Sequence, residues 1–83
     1  MKNILVCLEV PVVRNQFDLF VPIDLEISVL VGIIAEAVAE ICKGHYGVSG
    51  REMLVLSDKE VLFHPNKCLQ DYQVQDGARM MLI

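Results

Sequence analysis

The side chains in this chain that could do chemistry are three cysteines, two histidines and a spaced run of glycines. Cys42-x-x-His45 and His64-x-x-x-Cys68 offer nitrogen and sulfur ligands at short spacing, the donor set that tetrahedral zinc takes. Against zinc, Cys42 falls toward the edge of a buried helix face, and the two pairs end different elements. The preferred reading is a small buried thiol and two loop histidines. An iron–sulfur cluster takes four cysteines, and the chain has three. Cys7 or Cys42 with a histidine would make a nucleophile and its base, but no orienting third group or oxyanion loop accompanies them. Gly44-x-x-Gly47-x-x-Gly50 has the look of a phosphate loop, yet it follows a helix instead of opening one. A chain this short also lacks room for a pocket of ~300 Å³ beside its core. No catalytic residue, cofactor or metal ligand is expected.

Composition points to a different kind of activity. Eighty-three residues make one domain, 1–83, with a core near the lower limit for independent stability. The hydrophobic fraction is 54% and the mean hydropathy +0.49, high for so small a protein. A membrane span does not account for it, because the longest uncharged run in the helical segment is Ile27 to Ala35, well short of the ~20 residues a bilayer needs. A signal peptide does not either, since Glu9, Pro11 and Arg14 break the apolar stretch after Lys2. An odd number of cysteines without framework spacing suits a reducing compartment, so a cytoplasmic location is expected. The net charge of −4 argues against nucleic acid, whose binding needs clustered Lys and Arg. The remaining explanation for the apolar excess is surface that binds another protein.

One helix positions everything else. Asp24 to Gly44 carries apolar residues at Ile27, Leu30, Val31, Ile34, Val38 and Ile41, the spacing of one buried face. Asp24 is expected to cap the first turn, and Lys43-Gly44 to end the last. The opposite face holds Val29 and Ile33 beside Gly32, apolar residues where a solvated helix would carry charge. Lys2 to Val10 alternates as a strand with Ile4, Val6 and Leu8 inward and Leu5, Cys7 and Glu9 outward. Gln16 to Val21 is a second strand with Phe20 outward, ended by Pro22. After the glycine loop come Glu52–Leu56, Val61–His64, one helical turn near Leu69–Tyr72, and a last strand from Ala78 to Ile83. The order strand, strand, helix, strand, strand, strand predicts an α+β fold, a mixed sheet of five strands (or four) grasping one helix. That is the ubiquitin-like β-grasp arrangement, with the last strand parallel to the first.

Leu69-Gln70-Asp71-Tyr72-Gln73-Val74 and the strand after it resemble the L-S-D-Y-N-I stretch and final strand of ubiquitin. The resemblance implies that the Tyr72 hydroxyl pins the preceding loop to backbone. Phe17-Asp18-Leu19-Phe20-Val21-Pro22, the helix entered at Ile27 and Leu30, and Asp71-Tyr72-Gln73-Val74-Gln75-Asp76-Gly77 together resemble the YukD/EsaB family. These are small ubiquitin-like proteins associated with type VII secretion in Gram-positive bacteria. Glu26 stands where a family proline often opens the helix, and Val48 to Val55 match in pattern only. The resemblance implies an accessory or regulatory protein whose partners are parts of the secretion apparatus, such as its membrane-anchored ATPase or another core subunit.

Ubiquitin-type conjugation and sulfur carriage need a mobile tail with a terminal Gly-Gly. With Ile83 as the native end that chemistry is excluded; a longer native C-terminus would restore a sulfur carrier or modifier as an alternative. The expected working surface is the open sheet face, with Phe20, Leu5, Cys7, Met81, Ile83 and Val55 lined up as one apolar patch and Met53 at its edge. The outer helix face, Val29, Gly32 and Ile33, is a secondary candidate, for which two unremarkable exposed side chains is the preferred reading. A homodimer closing the sheet face is the rival to a monomeric adaptor.

Overall fold

Alternation decides the first strand. A computed structural model describes residues 2–83. In it β1, Asn3–Val10, buries Ile4, Val6, Leu8 and Val10 and turns Asn3, Leu5, Cys7 and Glu9 the other way. A 3-10 turn at Pro11–Val13, with Arg14 in the left-handed region at φ 53°, reverses the chain into β2, Asn15–Pro22. The two strands pair antiparallel from Val10↔Asn15 to Asn3↔Pro22. Pro22 does not end this pairing, contrary to the sequence expectation. Main-chain bonds alternate along an antiparallel ladder, and Ile23 donates to the Lys2 carbonyl at 3.0 Å, so the Asn3↔Pro22 position between needs no amide.

The helix α1 is Ile27–Cys42, shorter at its start than the sequence suggests. Asp24 does not cap it. The N-cap is Glu26, which makes no side-chain cap bond. Instead the amides of Ile27 and Ser28 donate to the carbonyls of Lys67 and Pro65, at 2.8 and 2.9 Å. A loop distant in sequence thus satisfies donors that a side chain was expected to satisfy. The buried stripe comprises Ile27, Leu30, Ile34, Ala35 and Val38, with Val31 partly buried. Ile41 was expected in this stripe but is 52% exposed. A period of 3.6 carries the stripe from Val38 to Cys42, which packs on the core instead. The helix ends as expected, with Lys43 left-handed at φ 41° and its amide on the Ala39 carbonyl, followed by Gly44 at φ 95°.

Short strands complete the sheet: β3, Leu54–Leu56, β4, Val61–Leu62, and β5, Ala78–Leu82. The order across the sheet is β2-β1-β5-β3-β4, with β1 and β5 parallel and the other neighbours antiparallel. This is the ubiquitin-like β-grasp fold. Expected strand extents of Glu52–Leu56 and Val61–His64 prove too long. Beyond β3, Met53 and Ile83 still exchange both main-chain bonds, at 2.8 and 2.9 Å. Glu52 and His64 leave the ladder because their polar groups serve the loops described below. One helix packs on one side of the sheet, and the core forms between them around Leu8, Leu30, Leu54, Leu69, Met80 and Leu82.

Leu30 is fully buried at the middle of this contact, whereas Ile41 overhangs its end. Leu30→Ala is therefore expected to cost about 2–5 kcal/mol in urea unfolding, and Ile41→Ala well under 1 kcal/mol. Equal losses would contradict the placement of the buried stripe.

Candidate functional site

The outward face of the sheet is built by strand period and register. Leu5 lies opposite Phe20, the latter 73% exposed, where the hairpin leaves an apolar cross-strand pair. On the far side of the sheet Met81 lies opposite Val55, which lies opposite Leu62, and Ile83 sits beside Met53. Cys7, Val55 and Met81 are half-buried, while Ile83, Met53 and Leu62 are exposed. These apolar residues do not form the single patch expected. The parallel register sets Cys7 beside Arg79 and Glu9 beside Met81, and Cys7 faces Asp18 on its other side. A polar row of Asp18, Cys7, Arg79 and Ser57 therefore crosses the face between two apolar groups. Leu5 and the level of Met81 differ by four residues along β1, about 13 Å. Arg79 follows from the same alternation that turns Met81 and Ile83 outward; the strand offset that places it centrally does not.

The outer helix face carries Val29 and Ile33, both exposed, on either side of Gly32. A Cβ at Gly32 would meet nothing within 4 Å, so no internal packing requires glycine there. Beside it runs a groove of about 450 Å³, with Ile27, Val31 and Phe63 among its lining and Val48, Met53 and Leu62 opposite the helix. This overturns the expectation that the chain has no room for such a volume. β3 and β4 are short there, and the segment after Gly44 arches past the groove with Val48 and Gly50 in its wall.

Glu52 holds that arch. Its carboxylate accepts from the Tyr46 hydroxyl at 3.0 Å and the amides of Ser49 and Gly50 at 2.7 and 3.0 Å. Burial pushes the Tyr46 phenol up to about 12, aided by its bond to Glu52 and the charge there. Burial also acts to raise the Glu52 carboxyl, but amide donors at Ser49 and on its own backbone, with the Tyr46 hydroxyl, outweigh it and hold the group low.

Tyr72 anchors a second loop. Its hydroxyl accepts the His64 amide at 2.8 Å, and its ring meets Phe63 edge-on with centroids 4.8 Å apart. Asp71 accepts the Cys68 amide at 2.8 Å, and the Gln70 amide reaches the Ile23 carbonyl at 3.0 Å. These bonds fix the segment whose carbonyls receive the first amides of α1.

The cysteine–histidine pairs are not brought together. Among the described residues no three His, Cys, Asp or Glu side chains gather in a way that could hold a metal ion. His64 Nδ1 accepts the Asn66 amide at 3.1 Å, and Cys68 Sγ lies 3.5 Å from the Asp24 carbonyl. Burial, then the carboxylates of Asp71, Glu26 and Asp24, push the Cys68 thiol up, opposite to what a thiolate nucleophile needs. No described helix is long and apolar enough to cross a membrane.

Comparison with solved structures defines the class as ubiquitin-like domains. The ubiquitin-like domain of EccD5 from Mycobacterium xenopi superposes with a TM-score of 0.79 at 24% identity, covering 100% of this chain and 94% of that one. That of the Mycobacterium tuberculosis type VII secretion system protein EccD1 gives 0.76 at 15%, covering 100% and 99%. The ubiquitin-like domain of Plasmodium falciparum Dsk2 gives 0.73 at 22%, covering 98% and 96%. At these identities the likeness establishes the fold. No family model and no curated protein sequence matches the chain.

Two outcomes follow from the loop anchors. Tyr72→Phe takes the acceptor from the His64 amide, which is exposed enough for water to replace it, so a loss of about 0.5–1.5 kcal/mol is expected, with faster hydrogen exchange at Ile27 and Ser28. Unchanged stability would show that the hydroxyl does not hold the loop. For Glu52 the lowered pKa means its contribution is present above the ordinary value of 4.5 and is lost as pH falls through the folded value. The raised Tyr46 contribution is present below 10.0 and lost as pH climbs toward 12. In an NMR titration the Glu52 carboxyl should titrate below 4.5 and release Ser49 and Gly50 as it does. Titration at or above 4.5 would contradict the anchoring.

Proposed function

We propose that this chain is a docking module of a type VII secretion apparatus, a member of the YukD/EsaB group, working on the cytoplasmic side. It performs no catalysis and takes no cofactor. It acts as an accessory or regulatory part by binding a protein component of the machine, its membrane-anchored ATPase or another core subunit. The motifs from Phe17 to Pro22 and from Asp71 to Gly77 support the family reading. So does likeness to ubiquitin-like domains named as EccD5 and EccD1, the latter from a type VII secretion system, over the whole of this chain.

The observation that carries the docking reading is Phe20. A phenylalanine 73% exposed, opposite an outward Leu5, contributes little to the core and is a ready anchor for a partner. Burial of such surface supplies about 25 cal/mol per Å² before the costs of association. The polar row between the two apolar groups adds charge, Asp18 and Arg79, which would fix the partner's orientation.

The test is export of small helical-hairpin substrates by a strain lacking this chain, complemented with wild type or Phe20→Asp. Wild type should restore export, and the variant, folded as judged by its melting curve, should neither restore it nor bind the partner. Full complementation by Phe20→Asp would remove Phe20 and its half of the sheet face, and unimpaired export in the deletion strain would remove the secretion role.

A further inference from the structure

The free edge of the sheet carries information beyond its face. β2 is the end strand, and its hydrogen-bonded positions can be assigned from two flanking bonds. Ile23 donates to Lys2, so Ile4–Val21, Val6–Leu19 and Leu8–Phe17 are the bonded pairs, and Leu5–Phe20 and Cys7–Asp18 turn their main-chain groups apart. On β1 these groups face β5, as shown by Gly77 donating to the Leu5 carbonyl at 2.8 Å and Leu5 donating to Asp76 Oδ1 at 2.7 Å. On β2 they point out of the sheet. The amides of Asp18 and Phe20, and the carbonyls of Asp18, Phe20 and Pro22, form that rim. The Gln16 amide is already taken by Asn15 Oδ1 at 2.9 Å.

Edges of this kind are ordinarily blunted by charged side chains, lysine above all, by proline, by bulges or by short length. β2, NQFDLFVP, runs eight residues in unbroken register with neither Lys nor Arg; Asp18 is its one charge, and its one proline, Pro22, stands at the last position. We propose that β2 pairs antiparallel with β2 of a second copy about a two-fold axis at Phe20, joining the two sheets into one.

The strand's own sequence selects a second copy and this register. With the axis at Phe20, the two Phe20 residues lie opposite each other and exchange both main-chain bonds. Each Asp18 amide then reaches the other copy's Pro22 carbonyl, where the missing proline amide would have met only the Asp18 carbonyl. Asp18 faces proline and no like charge. On the helix side Leu19 meets Val21. An axis at Asp18 would set the two carboxylates against each other, and an axis at Leu19 would set each Phe20 against an Asp18; both are unfavourable. The chosen register also runs Leu5, Phe20, Phe20 and Leu5 side by side across the joined face. That gives the exposed Phe20 a neighbour, and turns an edge half-site into the centre of a symmetric surface.

The experiment is sedimentation velocity of the full chain from micromolar to millimolar concentration, with amide hydrogen exchange read at both ends. The expected result is a shift from 9.3 kDa to twice that mass, with exchange of the Asp18 and Phe20 amides slowed about tenfold or more on dimerisation and that of Gln16 unchanged. Asp18→Pro removes an outward-pointing donor and no bond to β1, and should be monomeric at every concentration, while Asp18→Ala, which loses the carboxylate but keeps the amide, should dimerise at least as well as wild type. If Asp18→Pro does not fold, the exchange pattern of the wild-type chain decides alone. A chain monomeric at millimolar concentration overturns the proposal. So does a dimer whose Asp18 and Phe20 amides exchange freely, which would place the contact on the sheet face, and so does a folded Asp18→Pro that still dimerises.

Discussion

The structure depends on a loop supplying what the helix cannot supply for itself. The first amides of α1 have no intrahelical acceptors, and Glu26 does not provide one from its side chain. The Lys67 and Pro65 carbonyls do, from a segment some forty residues later in the chain. That segment is held by the Tyr72 hydroxyl on His64, by Asp71 on Cys68, and by Leu69 packed wholly into the core. Because β4 has two residues and adds little ladder of its own, these loop bonds stand in for sheet at that end of the molecule. Helix position, loop conformation and the closing of the core are thus one cooperative unit.

Two consequences follow for the surface. With a single helix covering one side, the other side of the sheet is left open, and its composition decides what meets it. That side keeps Phe20 and Leu5 at one corner and Met81, Val55 and Leu62 at the other. The short third and fourth strands leave the groove beside α1, whose wall depends on the Glu52 carboxylate binding its own loop. The high apolar content of the chain is therefore divided between a small core and surfaces that monomeric proteins seldom leave bare.

Much of this was legible in the sequence where a local period decides the outcome. Alternation in residues 3–10 and 78–82, the hairpin, the helix and the strand order all emerge from patterns of apolar residues and turn residues. Local pattern misleads where a distant partner decides. Asp24 looked like a cap, but backbone from residues 65–67 takes that role. Ile41 matched the helical spacing, but the stripe had rotated to Cys42 by the last turn. Pro22 looked like a strand end because a sequence does not say which ladder positions are bonded. The sheet face was expected as one patch because alternation tells which way Arg79 points, whereas only the parallel offset of β1 and β5 puts it beside Cys7. The groove is not legible for a related reason, since its volume is set by what the connecting segment leaves unfilled.

The docking proposed for this ubiquitin-like domain would set its open sheet face against a component of a secretion machine. The most direct measurement is an NMR titration of isotope-labelled chain with the soluble region of the secretion ATPase. The resonances of Leu5, Phe20, Arg79 and Met81 are expected to shift together and saturate, with Ile27, Val31 and Gly32 on the helix unaffected. Shifts confined to Val29, Gly32 and Ile33, or to Ile27 and Val31 on the helix wall of the groove, would place docking on the helix side of the molecule instead.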